Sequence, residues 1–198
     1  MPHQYIVFNK PFQVLSQFSP EAGKRVLADF FPDLPKAVYP VGRLDFDSEG
    51  LLLLTDDKAL TNYLLNPMFA HPRTYWVQVD GAITPEACRE LEAGVVIAVD
   101  GKPYRTRPAK AVLLDPPPDV LERNPPVRFR KSIPTSWLAL TLTEGKNRQV
   151  RKMTAAVGFP TLRLLRHSVG GVTIAGIPPG GFNQCGTDIK DLLMRKSG

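Results

Sequence analysis

Apolar and polar positions along the chain predict many short strands and few helices. Gln4 to Asn9 (QYIVFN) reads as a first strand, ended by Lys10-Pro11. Arg25 to Phe31 has Val26, Leu27, Phe30 and Phe31 on one side of a short helix. Leu51 to Thr55 is apolar on both faces, which predicts a central strand. A helix is expected over 57–65, with Leu60, Leu64 and Leu65 on one face and Pro67 past its end. Thr74 to Val79 alternates with period two, placing Tyr75, Val77 and Val79 on one face and Trp76 and Gln78 on the other. The next helix is punctuated at both ends: Thr84 caps it, Pro85 opens it and Gly94 closes it.

Further strands are predicted over 95–98, 110–114, 136–143 and 161–166, with helices over 147–157 and 187–194. Val150, Met153 and Val157 form the apolar stripe of the 147–157 helix. The 115–134 stretch holds six prolines and cannot form a regular element, so it reads as a long functional loop. Strands adjoin strands as often as helices, without βαβα alternation. The expected class is α+β with a mixed, largely antiparallel sheet flanked by helices. No linker is polar enough to separate independent domains, so residues 1–198 are expected to form one domain, or two subdomains sharing one sheet.

At 43% hydrophobic and 22% charged residues, wholesale disorder is excluded. No run approaches the ~18–20 apolar residues of a membrane span, and Lys10 interrupts the stretch where a secretory signal would continue. Two cysteines, Cys88 and Cys185, lack CxxC spacing, which points to a reducing compartment and a cytoplasmic protein. His3, His71 and His167 lie far apart, with no metal-ligand spacing among them.

Charge changes the picture more than composition does. Between Arg123 and Arg166 stand ten Lys or Arg residues against one acid, Glu144. That stretch is +9, so the remainder of the +6 chain carries −3. Seven of the ten are Arg, whose planar fork suits phosphate. Such segregation presents a basic surface to an anionic partner, nucleic acid before all. Phe129 and Trp137 lie among these cations, an arrangement compatible with base stacking and equally with core packing.

The segment richest in candidate chemistry is VGRLDFDSEGLLLLT at 41–55. Asp45, Asp47 and Glu49 sit in a short loop before an apolar strand, with Gly42 and Gly50 at its ends. A carboxylate at the lip of a buried strand is partly desolvated and requires a compensating cation. Spacing alone leaves three readings open: a reactive carboxylate, a solvated turn, or an Mg²⁺ pair at Asp45 and Asp47.

GRLDFDSEGLLLLT resembles the catalytic motif of pseudouridine synthases, in the branch that modifies ribosomal RNA. Four further segments agree in order: NKP at 9–11, TYWVQV at 74–79, EGKNRQVRKM at 144–153 and TLRLLRHSVGG at 161–171. RKSIPTSWL at 130–138 is similar to large-subunit members of that branch. Many relatives carry an S4-type RNA-binding domain at the N-terminus, which this sequence does not show. Departures are small: Ser48 stands where many relatives have Thr, and Asp56-Asp57-Lys58 where they often have Asn-Asp-Gly.

The resemblance implies roles residue by residue. Asp45 matches the catalytic aspartate, and Tyr75 the active-site tyrosine that stacks on the extruded base. Arg151 matches the basic residue that pairs with the aspartate, and Leu164 the apolar residue beside the base. Arg43 is expected at the flipped nucleotide. Lys10, Arg128, Arg130, Lys131, Arg148, Arg163 and Arg166 are expected to grip the RNA. It further implies a monomer acting on large-subunit ribosomal RNA, without cofactor, metal or membrane. The alternative is a non-catalytic RNA-binding or ribosome-assembly protein that keeps the fold. Against it, a pure binder gains nothing from carboxylates aimed at phosphates.

Overall fold

Local sequence signals become elements through what each can bury. A computed structural model describes residues 3–127 and 133–195. Two compact units emerge: one runs to His71 and resumes at Arg166, and the other spans Pro72 to Leu165.

The first unit opens with β1 (Tyr5–Lys10), buried along its whole length. β2 (Val14–Leu15) and β3 (Arg25–Val26) form a two-residue parallel pair. β4 (Tyr39–Pro40) and β5 (Glu49–Thr55) follow, then α1 (Lys58–Leu65). β5 is antiparallel to β1, from Tyr5 opposite Thr55 to Lys10 opposite Gly50. All seven β5 residues are buried, as the run of leucines predicts. Ile6, Phe8, Leu52 and Leu54 pack with Leu27, Phe31 and Val38.

The helix expected over 25–31 does not form. Arg25 and Val26 pair with β2, and a single 3₁₀ turn follows at Leu27–Asp29, where the Asp29 carboxylate accepts from the Val26 amide at 2.8 Å. The apolar spacing that suggested a helix instead serves Phe8, whose ring centroid lies 5.1 Å from Phe30 and 5.0 Å from Phe31. α1 forms as expected. Asp57 caps it, accepting from the Leu60 amide at 3.0 Å. Leu60 and Leu64 are buried, but Leu65 is exposed.

The second unit contains β6 (Arg73–Asp80), α2 (Pro85–Ala93), β7 (Val96–Val99), β8 (Lys102–Arg105), β9 (Lys110–Leu114), β10 (Thr135–Leu142) and α3 (Gln149–Ala156). β10 lies between β6 and β9, antiparallel to both. β7 and β8 form a separate hairpin. Val77, Val79, Leu91, Leu138, Leu140 and Met153 make the buried centre, each large apolar side chain contributing ~1.5–3 kcal/mol. α2 starts and stops where Thr84, Pro85 and Gly94 place it. The helix expected from Asn147 starts at Gln149, because Arg148 adopts a left-handed φ of 52°.

β11 (Thr161–Val169) begins in the second unit and ends in the first. The first unit then adds β12 (Val172–Thr173), β13 (Phe182–Cys185) and α4 (Ile189–Met194). β12 pairs with β11, and β13 with β1, both antiparallel. Lys190 of α4 reaches Asp57 Oδ2 at 2.5 Å, and the buried Tyr5 hydroxyl donates to the same oxygen at 2.9 Å. Among the described residues no helix is long and apolar enough to cross a membrane.

Candidate active site

The loop bearing Asp45 is held by main-chain contacts on both sides of that residue. The Ser16 hydroxyl donates to the Leu44 carbonyl at 2.9 Å and accepts from the Leu44 amide at 3.1 Å. The Gln13 amide donates to the Phe46 carbonyl at 2.9 Å, and the Ser48 amide closes a turn onto the Asp45 carbonyl at 3.0 Å. Leu44 is buried and anchors the loop. Asp45, Phe46 and Asp47 stay half-buried, and Arg43 is exposed. The Ser48 hydroxyl is buried without a hydrogen-bond partner among the described residues.

Gly50 is required where this loop enters β5. Its φ is +104°, and a Cβ there would lie 2.3 Å from the Arg166 carbonyl oxygen and 2.7 Å from the Arg166 nitrogen. The sequence reads Gly at this position because β11 passes too close for any side chain.

Lys10 is the buried cation of this region. Its Nζ donates to the Val14 carbonyl at 2.7 Å and to the Pro11 carbonyl at 3.0 Å, and its side chain is fully buried. Burial pushes its pKa down to about 7, with Arg166 adding to that, while the charges of Glu49, Asp45 and Asp47 oppose it. The acidic loop therefore has a buried lysine of the NKP motif within electrostatic reach in the first unit.

Three of the expected RNA contacts need correction. Lys10 is buried, not presented to solvent. Arg166 is buried too, its Nε donating to the Leu51 carbonyl at 2.7 Å. Arg163 is buried, donating to the Leu121 carbonyl at 2.9 Å with its guanidinium 6.0 Å from the Trp137 ring centroid. These three side chains donate to backbone carbonyls, so charge segregation overstates the exposed basic surface. Trp137 is itself buried. Arg128, Arg130 and Lys131, like Phe129, lie outside the described residues.

In the second unit, Tyr75 sits opposite Leu140 in the β6–β10 register. It packs, half-buried, against the apolar cluster that contains Val150, Met153 and Leu164. Arg151 is half-buried on α3, one residue beyond Val150, and Arg148 is exposed at the helix start. The structure thus brings Tyr75 and Leu164 to one core in the second unit. It gathers Lys10, Asp45, Asp47, Glu49 and Arg166 into one electrostatic group in the first.

Sequence reasoning missed the device that fixes the 144–148 loop. Glu144 is buried and accepts from the Tyr104 hydroxyl at 2.5 Å, the Arg107 amide at 2.9 Å and Gln149 Nε2 at 2.7 Å. Gln149 Oε1 in turn accepts from the Lys146 amide at 2.9 Å. Burial alone would push the Glu144 pKa up, but the donors from Tyr104, Arg107 and Gln149 hold it below the ordinary carboxylate value. The same bond to Glu144 pushes the Tyr104 phenol up. One signal was available: Glu144 is the single acid among ten basic residues. Ser16 and Gln13 carried no such signal, because their partners are main-chain atoms. Among the described residues, no three His, Cys, Asp or Glu side chains gather as a metal-ligand set.

A sheet-rich α+β fold, an acid-bearing loop ahead of a buried strand and a tyrosine on a period-two strand define a class. The chain belongs to the RNA pseudouridylate synthase family, whose sequence profile matches residues 4–156. Among particular relatives, it is 51% identical over 179 residues to "Ribosomal large subunit pseudouridine synthase E" of Vibrio parahaemolyticus, covering 90% of this chain and 72% of that protein. The protein of the same name from Xanthomonas axonopodis pv. citri is 52% identical over 176 residues, covering 88% of this chain and 90% of that one. A solved pseudouridylate synthase superposes with a TM-score of 0.75 at 25% identity, covering 96% of this chain and 74% of the other. The α+β class and the resemblance carried by the ordered motifs both hold.

Proposed function

We propose that this chain isomerises a specific uridine of large-subunit ribosomal RNA to pseudouridine, as a cytoplasmic monomer, with Asp45 as its catalytic carboxylate. The reaction breaks the bond between the ribose anomeric carbon and uracil N1. It turns the ring, joins the anomeric carbon to C5, releases the C5 proton to solvent and leaves N1 carrying a proton in exchange. Every atom rearranged belongs to the substrate, apart from the exchanged proton, so the chemistry calls for no redox partner. A stacked uridine cannot reach a side chain, so the base is extruded first.

The observation that carries the reading is the double main-chain hold on the Asp45 loop, Ser16 on Leu44 and Gln13 on Phe46. A carboxylate that meets an anomeric carbon needs such fixed placement, and glycosidases use carboxylates at that carbon for related reasons. A solvated turn would not be clamped on both sides. In this reading Tyr75 stacks on the extruded uracil, Leu164 backs it, and Arg43 meets the neighbouring phosphate. Arg151 serves as the basic partner of Asp45, the role its motif position implies. The two relatives named for large-subunit ribosomal RNA support the substrate. The unbonded Cys88 and Cys185 thiols agree with a reducing compartment.

The test is tritium release from large-subunit RNA labelled at uridine C5, with and without chelator. Wild type releases tritium in both conditions, and Asp45→Asn binds RNA but releases none. Release by Asp45→Asn would remove that residue from the chemistry. RNA binding by wild type without any release would favour the assembly-protein alternative.

A further inference from the structure

With Lys10, Arg163 and Arg166 buried, the exposed basic surface must be found elsewhere. Two cations outside the motif-based assignments answer: Arg107, in the irregular segment after β8, and Lys146, in the loop before α3. Both are exposed. Both are tied by their main chains to one polar hub, the Arg107 amide to Glu144 Oε1 at 2.9 Å and the Lys146 amide to Gln149 Oε1 at 2.9 Å. Their charged ends converge on the pair at the centre of that hub. Arg107 Nε lies 4.0 Å from Glu144 Oε2, beyond hydrogen-bond reach, and Lys146 Nζ lies 4.9 Å from the Tyr104 ring centroid.

Glu144 does not use up either cation. It already accepts from Tyr104, the Arg107 amide and Gln149, and it is buried while the Arg107 side chain is half exposed. One buried carboxylate against two exposed cations leaves the group a net positive charge. The backbones of those cations are fixed and their side chains are exposed. Arg148, exposed at the start of α3, adds a third positive charge beside Lys146 in sequence.

We infer that Arg107 and Lys146 form a phosphate clip for the RNA substrate, seated on the Tyr104–Glu144 pair. The inference rests on RNA being the substrate and assigns where the second unit takes hold of it. A guanidinium fork and an ammonium fixed on one base suit a phosphodiester backbone; they set register and read no base.

The experiment measures binding of a large-subunit ribosomal RNA transcript over a salt series, with tritium release followed on the same samples. Each neutralised phosphate contributes ~0.7 (single strand) to ~0.9 (duplex) to the slope of log affinity against log salt. Arg107→Gln and Lys146→Gln are each expected to flatten the slope by that amount, the double variant by about twice as much, and to raise KM for RNA more than they lower kcat. Arg107→Lys keeps the charge and restores the slope. Arg89→Gln, which removes an exposed arginine ion-paired to Glu86 on α2, leaves the slope unchanged. Unaltered slopes in Arg107→Gln and Lys146→Gln would overturn the clip, as would affinity lost at unchanged slope. A flattened slope in a protein that releases no tritium would keep the clip and sink the isomerase reading instead; release with unaltered slopes would do the reverse.

Discussion

Replacing Lys10 by Met should erase a rise in stability with pH that few proteins show above neutrality. Lys10 is fully buried in the folded chain, and burial holds its pKa at about 7 against an ordinary value of 10.5. Between those values the unfolded chain binds a proton on this amine and the folded chain does not. Stability therefore increases with pH in that window, by up to ~1.4 kcal/mol per pH unit and ~5 kcal/mol across it. The contribution is complete above about 10.5 and is lost progressively as pH falls from there to about 7. From pH 7 to pH 9 it amounts to ~2 kcal/mol. Lys10→Met removes the titrating group while filling similar space. Urea unfolding of both proteins at pH 6, 7, 8 and 9 reads the difference directly, and groups common to both cancel. The wild type should gain ~2 kcal/mol on the variant between pH 7 and 9, with little change between pH 6 and 7. A difference that stays flat, or that moves against the wild type, would refute the account of Lys10 as a desolvated cation whose acidic neighbours only partly restore its charge.

Other perturbations test separate joints. Ser16→Ala removes both bonds to Leu44, should cost ~1–3 kcal/mol of stability, and should speed amide exchange at Leu44 while β5 keeps its protection. Equal exchange at Leu44 in both proteins would show that the hydroxyl does not hold the loop. Gly50→Ala forces a Cβ into the Arg166 backbone at positive φ and should cost at least ~3 kcal/mol in urea melts; an unchanged midpoint would contradict the packing. Burial pushes the Asp57 carboxyl up, but donors from Lys190, the Leu60 amide and Tyr5 hold it well below the usual range. Its stabilisation is therefore present above the unfolded carboxylate value of ~4 and is lost as pH falls below it. Asp57→Ala should cost on the order of 3 kcal/mol at pH 7, with the gap to wild type narrowing between pH 4 and 2. A gap constant with pH would show that the ion pair contributes nothing.

What could be read in advance was local. α2 was legible because Thr84, Pro85 and Gly94 are chemical punctuation, and β6 because Tyr75, Val77 and Val79 alternate with wetter residues. β2, β3, β4 and β12 span two residues each, too few to show a period. The 25–31 segment misled because Phe30 and Phe31 fit a helical stripe equally well as a pair of rings against Phe8. The acidic loop was visible as a site, but its supports were not. A lysine before Pro11 reads as the end of a strand, and nothing in its letter says that Val14 and Pro11 carbonyls enclose it. Arg163 and Arg166 were misread for the same reason: an arginine contributes one positive charge to a tally whether it faces water or a carbonyl.

The hold on Leu44 and Phe46 has a consequence for how such a chain can change. Ser16 and Gln13 grip peptide groups, and every residue type but proline offers the same carbonyl and N–H. The neighbours of Asp45 can thus be exchanged without releasing the backbone that carries it. A library randomised at Phe46 and Asp47 should yield folded proteins with altered target preference, making this loop a natural place to begin redirecting the enzyme.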